Sequence, residues 1–163
     1  MDKKETFITA IKENESLLYK VASVYTRNAD DRNDLIQEIV YQLWRSYDSF
    51  NGRSALSTWI YRVALNVSIN QLKIEKRRIS TVPIEEQFMD GYEAGKQDDE
   101  TRWEEFRQQI DTLNLLDKAL VMLYLDNKSY AEIAEIIGIS ASNVGTKLSR
   151  IKEKLRKQVI KST

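Results

Sequence analysis

Apolar residues recur at helical spacing through most of this chain, and no stretch alternates with the period of two that a strand needs. Phe7, Ile11, Leu18, Val21, Ala22 and Tyr25 mark a first helix, Leu35 to Tyr47 a second, and Leu56 to about Lys76 a third. Breaks are expected near Asn28 to Asp31 and at Asn51 and Gly52. Further along, Trp103, Phe106, Ile110 and Leu113 fall at helical spacing, and the pattern continues through Leu116 to Leu125. The chain is therefore all-α, in two small helical domains. Pro83, the only proline, and Gly91 with Gly95 fall in a polar stretch without clear period, which reads as a flexible linker. The expected boundaries are 1–78 for the first domain, 79–100 for the linker and 101–163 for the second.

The segment from Ser129 to Leu155 spells a helix, a glycine turn and a second helix. Ala134 sits where crossing helices need a small side chain, and Gly138 follows four residues later, where a short helix stops and the backbone requires positive φ. Ile133, Ile137 and Ile139 supply the buried side of the first helix and turn. Ser140 is placed as the next N-cap. Val144, Leu148, Ile151 and Leu155 repeat along the second helix, leaving Asn143, Thr146, Lys147, Arg150 and Lys154 on its open face. Those are donors suited to base edges and phosphates in a major groove. Gly145 stands inside this helix at a cost of about 1 kcal/mol relative to alanine; it either permits close approach to DNA or is tolerated.

The second helix carries adjacent apolar pairs, Leu35 with Ile36, Ile39 with Val40 and Leu43 with Trp44, a stripe wider than one contact needs. Either it is buried on two sides of a bundle, or one side packs inside while Asp34, Gln37 and Glu38 remain available to a partner helix. In the third helix Leu56, Ile60, Val63, Val67 and Ile74 form the apolar stripe. Arg62, Asn66, Asn70, Lys73 and Arg77 line another face, which is polar and ends basic. The loop before it holds Phe50, Asn51, Arg53 and Ser54 and leads to Trp59; rings beside donors are the materials of a single-strand site. An aromatic at helical spacing such as Trp59 serves equally as core.

Net charge is zero, with 25 basic and 25 acidic residues, but the distribution is uneven. Nine acids between Glu85 and Glu105 face only Lys96 and Arg102, and basic clusters stand on either side of them. The chain has no cysteine and no histidine, which removes thiolate sites, the commonest metal ligand and the commonest general base. No phosphate-binding glycine loop is present, so a binding protein is expected rather than an enzyme, with no cofactor and no metal. The opening residues are too charged for a signal peptide, and no run of about eighteen apolar residues exists. A cytoplasmic protein without membrane insertion is expected.

The span from Asp34 to Lys73 resembles region 2 of the bacterial sigma-70 family, in its small extracytoplasmic-function (ECF) group, and Ser129 to Leu155 resembles region 4. Their order and the short linker between them fit that group. The resemblance implies a subunit that binds core RNA polymerase, recognises the −35 and −10 elements of promoter DNA and helps open the duplex. It implies polymerase contacts at Asp34, Leu35, Gln37, Glu38 and Trp44. Phe50, Asn51, Arg53, Ser54 and Trp59 would capture an unpaired −10 base, and Arg62, Asn66, Lys73 and Arg77 would lie along the −10 DNA. Ser142, Asn143, Thr146, Lys147 and Arg150 would read the −35 element. The family is commonly restrained by an anti-sigma factor, and a monomer is expected when free. Asn70, Lys73, Leu56, Asn143 and Gly145 depart from the residues usual in the family, so the promoter sequence is not predicted. A stand-alone helix-turn-helix regulator with a helical interaction domain is the alternative.

Overall fold

The computed structural model describes residues 2–79 and 105–161, with side chains described for 2–75 and 105–158. The chain divides into two compact units, Met1–Asp90 and Gly91–Thr163. The linker expected over 79–100 lies outside the described residues, except that Ile79 closes a helix. Trp103 lies outside them as well.

The first unit contains α1 (Lys3–Glu13), α2 (Glu15–Tyr25), α3 (Ala29–Ser46), a 3-10 turn (Tyr47–Ser49) and α4 (Leu56–Ile79). The single first helix expected from the sequence is two helices. Asn14 breaks it with φ −117° and ψ 18°, and its side-chain amide donates to the Ala10 carbonyl at 2.8 Å. That bond satisfies a carbonyl the ending helix would leave orphaned. The next break also falls slightly earlier than expected. Asn28 is the N-cap, its side chain accepting from the Asp31 amide at 2.8 Å, so Asp30 and Asp31 sit inside the first turn of α3, where the helix dipole favours acids.

Helices α2, α3 and α4 pack on one another. Val21, Ala22, Ile39, Leu43 and Ala64 are wholly removed from solvent there. The open question about α3 is resolved by its burial pattern: Leu35, Ile39 and Leu43 face the core, Ile36 and Val40 are half-buried, and Trp44 is 37% exposed. The helix is therefore buried on one side only. In α4 the core face is Ile60, Tyr61, Ala64, Leu65 and Ser68 rather than the expected stripe ending at Ile74, which is 52% exposed. The helix packs against both α2 and α3, and a helix with two neighbours buries a face wide enough to include Tyr61 and Leu65.

In the second unit residues 105–110 are helical, followed by α5 (Leu115–Leu125), α6 (Tyr130–Ile137) and α7 (Ala141–Lys161). Ile110, Leu120, Leu123, Ile133, Val144 and Leu148 form its core. Asn114 caps α5 through the Asp117 amide at 2.8 Å. Ser129 and Glu132 form a reciprocal capping box at the start of α6. The bonds from Ser129 hold the Glu132 carboxyl below its ordinary value, so this cap is intact above the usual carboxylate range and is lost as pH falls through the lowered value. No strand occurs among the described residues.

Candidate nucleic-acid interface

The helix-turn-helix is built by three local devices. Gly138 ends α6 in the left-handed region at φ 87°, its amide donates to the Ala134 carbonyl at 2.8 Å, and the Ile139 amide reaches the same carbonyl at 3.2 Å. Two residues later the Ser140 hydroxyl accepts from the Asn143 amide at 3.1 Å and starts α7. The buried pair on α6 is Ile133 with Ile136, while Ile137 and Ile139 are half-buried. The expectation for Ile137 is thus corrected by a small rotation of a two-turn helix.

Of the residues expected to read DNA from α7, Ser142, Asn143, Thr146 and Arg150 are exposed and Lys147 is half-buried. The Thr146 hydroxyl donates back to the Ser142 carbonyl at 3.2 Å. The basic residues beyond them divide sharply. Lys154 lies on the open face and is exposed, but its Nζ is engaged, donating to the Thr112 carbonyl at 3.1 Å. Lys152 Nζ donates to the Tyr124 hydroxyl at 3.1 Å, a bond that raises the lysine above its ordinary value, and Arg156 pairs with Glu153 at 2.7 Å. Lys147 and Arg150, by contrast, have no hydrogen-bond or ion-pair partner among the described residues. Lys157, exposed further along α7, likewise has none among the described residues, so unengaged charge stands at Lys147 and Arg150 early in the helix and at Lys157 near its end.

Gly145 lies beneath Tyr130, the first residue of α6. A Cβ placed on Gly145 would meet the Tyr130 ring at 3.4 Å, an ordinary van der Waals distance. The fold therefore does not require glycine there. Gly145→Ala is expected to raise the stability of this unit by about 0.5–1 kcal/mol, read as a higher urea midpoint, because the helix loses an entropic penalty without a clash. A lower midpoint would show that the Tyr130 ring cannot yield.

The first unit carries two further surfaces. On α3, Asp34 and Gln37 are exposed, and Glu38 is half-buried, accepting from the Gln42 amide at 3.0 Å. Leu35, expected among the partner contacts, is 4% exposed and belongs to the core. Tyr41, missed in the sequence reading, is 53% exposed with the Arg45 guanidinium 5.8 Å from its ring. It stands four residues after Gln37 and three before Trp44, so a check of which apolar residue interrupts the polar side would have found it.

The loop after the 3-10 turn is shaped by Gly52, at φ 76°, and by the Asn51 side chain, which accepts from the Arg53 amide at 3.1 Å. Asn51 and Arg53 are exposed and Phe50 and Ser54 half-buried. Trp59 is 9% exposed, with Phe50 at 5.1 Å and Tyr47 at 6.2 Å between ring centroids. Its ring is a support beneath Phe50 rather than an open stacking platform. Along α4, Asn66, Asn70 and Lys73 are exposed and Arg62 is half-buried. The Arg77 side chain lies outside the described ones.

A loop with donors and a supported ring, a polar helix face and a separate helix-turn-helix are the parts expected of regions 2 and 4, and comparison with known proteins agrees. The Sigma-70 region 2 pattern matches residues 10–78 and the Sigma-70, region 4 pattern residues 103–155. The chain is 30% identical over 154 residues to the ECF RNA polymerase sigma-E factor of Haemophilus influenzae, spanning 86% of this chain and 82% of that one. It is 30% identical over 155 residues to the protein of the same name from Escherichia coli K12, spanning 86% and 81%. In fold it resembles the sigma factor RpoE of Bartonella quintana, solved with the anti-sigma factor NepR, at a TM-score of 0.73 and 20% identity over 95% of this chain and 97% of that one. It also resembles CnrH, solved with the cytosolic domain of CnrY, at 0.72 and 15% over 99% and 92%. Both family patterns in this order, together with likeness to named relatives over more than four-fifths of each chain, place the chain in the ECF group of the sigma-70 family of RNA polymerase sigma factors.

Proposed function

We propose that this sigma factor divides promoter recognition between its two units and joins them on core RNA polymerase. Asp34, Gln37, Glu38, Tyr41 and Trp44 form the polymerase-facing stripe of α3. Phe50, Asn51, Arg53 and Ser54 receive an unpaired −10 base, with Trp59 beneath Phe50, and Arg62, Asn66, Lys73 and Arg77 follow the adjoining strand. Ser142, Asn143, Thr146, Lys147 and Arg150 read the −35 element. Domain boundaries at 1–78 and 101–163, with an acidic linker at 79–100, suit two modules on a common platform. Tethering raises the effective concentration of each weak site near its DNA element. Trapping an extruded base offsets the few kcal/mol of unstacking. The chain performs no bond chemistry, works in the cytoplasm as polymerase does, and is monomeric when free. Its structural neighbours were solved with anti-sigma factors or a partner's cytosolic domain, which supports a protein of that kind as the restraint on this one.

The observation that carries the reading is the pair Lys147 and Arg150 beside the exposed Asn143 and Thr146, without partners among the described residues, while Lys152, Lys154 and Arg156 further along are engaged. The test is run-off transcription by purified core polymerase on upstream sequences of the source genome, with and without the protein. Initiation confined to templates that share spaced −35 and −10 elements is expected. In Lys147→Ala with Arg150→Ala, promoter use should fall and the salt slope should drop by about 2, roughly 0.9 for each lost phosphate contact, while polymerase binding is retained. Loss of both activities together would refute the assignment of α7. Sequence-selective binding to duplex by the protein alone, without initiation or co-elution with core, would indicate a stand-alone regulator.

A further inference from the structure

Five aromatic rings form a continuous chain from α3 to the loop before α4. Trp44 and Phe7 meet edge to face with centroids 5.0 Å apart, and Phe7 lies 5.2 Å from Tyr47. Tyr47 lies 6.2 Å from Trp59, which supports Phe50 at 5.1 Å. All four separations fall in the range where ring quadrupoles attract. Four of the rings belong to residues 44–59; Phe7 alone comes from elsewhere in the chain. It is 6% exposed and joins Trp44 to Tyr47.

The same helix supplies a second tie one turn earlier. Lys3 Nζ lies 4.7 Å from the Trp44 ring centroid and donates to the Asp48 carboxylate at 2.9 Å. Both contacts of α1 therefore bear on the corner formed by the end of α3 and the 3-10 turn. From that corner the Gly52 loop departs, and the ring contact that anchors its first residue is Phe50 on Trp59.

We infer that α1 is a strap on this corner and that Phe7 is a positioning residue for the −10 loop, acting through Tyr47 and Trp59 on Phe50. The inference rests on the proposed role of that loop in receiving an unpaired base. Phe7 touches neither DNA nor polymerase in this account; it narrows the positions open to a ring that does. The effect should appear where the loop must capture a base from closed duplex and should largely vanish where the duplex is already open.

The test compares run-off transcription by the assembled holoenzyme on one promoter in two forms, fully paired and pre-opened at −10. Phe7→Leu keeps an apolar side chain but removes the ring. Output from the paired template is expected to fall about tenfold, and from the pre-opened template by less than about twofold, with co-elution with core unchanged. Phe7→Tyr should restore the paired template. Equal loss on both templates, or no loss on either, would overturn the strap. Should Phe7→Leu fail to fold, Lys3→Ala, a change on an exposed side chain, decides the matter: the same selective loss, smaller in size, supports the strap, and an unchanged ratio between the templates overturns it. Failure of the unaltered protein to initiate or to co-elute with core would instead refute the proposed function.

Discussion

Core RNA polymerase is expected to stop co-eluting with a Gln37→Ala, Glu38→Ala variant whose helix content and melting temperature remain those of the parent. Gln37 is exposed, and among the described residues Glu38 gives up one bond, from the Gln42 amide at 3.0 Å on the same helix. A pair of that kind, four residues apart on one helix, contributes about 0.2–0.5 kcal/mol, so folding is nearly untouched. Across an interface the accounting differs. Truncating one partner of a desolvated polar contact leaves the other buried without a partner and costs about 2–5 kcal/mol, or roughly 30-fold to several thousandfold in affinity. The core positions beneath, Leu35, Ile39 and Leu43, are left in place to hold α3. Gel filtration of the variant with core polymerase, beside circular dichroism, checks both halves of the expectation. Undiminished co-elution would move the polymerase contact off this stripe.

Ile133→Ala should have the largest effect on stability, and it should be confined to one unit. Ile133 is wholly buried, as are Leu120, Leu123 and Val144 in the same core. Removing its side chain beyond Cβ costs about 2–5 kcal/mol, part in lost burial and part in the cavity left behind. A unit of this size has a small core and correspondingly little stability to spare. At about 4–8 °C per kcal/mol for a small domain, its transition should fall by roughly 8–40 °C. Calorimetry is expected to show that transition displaced or lost while the transition of Met1–Asp90 stays in place, because the two units have separate cores. Co-elution with polymerase through the first unit should persist, and −35-dependent initiation should vanish. A single transition that moves as a whole would show that the units do not unfold independently.

What the sequence determined by itself is what local physics decides. The all-α fold, the αL turn at Gly138 and the cap at Ser140 follow from helical periods and from backbone conformations that single residues favour, whereas the pairing of a region 2-like with a region 4-like segment is legible only as a resemblance to a known family. Those demands are met within a few positions of the residue that makes them, so they can be read in order along the chain. Tertiary structure alone decided questions whose answer lies far away in sequence. Lys154 looks as free as Arg150 on a helical projection, yet it donates to Thr112, 42 residues away. Trp59 has the spacing of a core residue and the neighbours of a stacking site; in the fold it is 9% exposed and packed against the rings of Tyr47 and Phe50. The burial of Tyr61 and Leu65 goes with a helix that packs against two others, and the place of Phe7 depends on a corner nearly forty residues beyond it. Whether a donor is available or a ring is covered is a property of its neighbours in space, and periodicity carries no information about which neighbours those are.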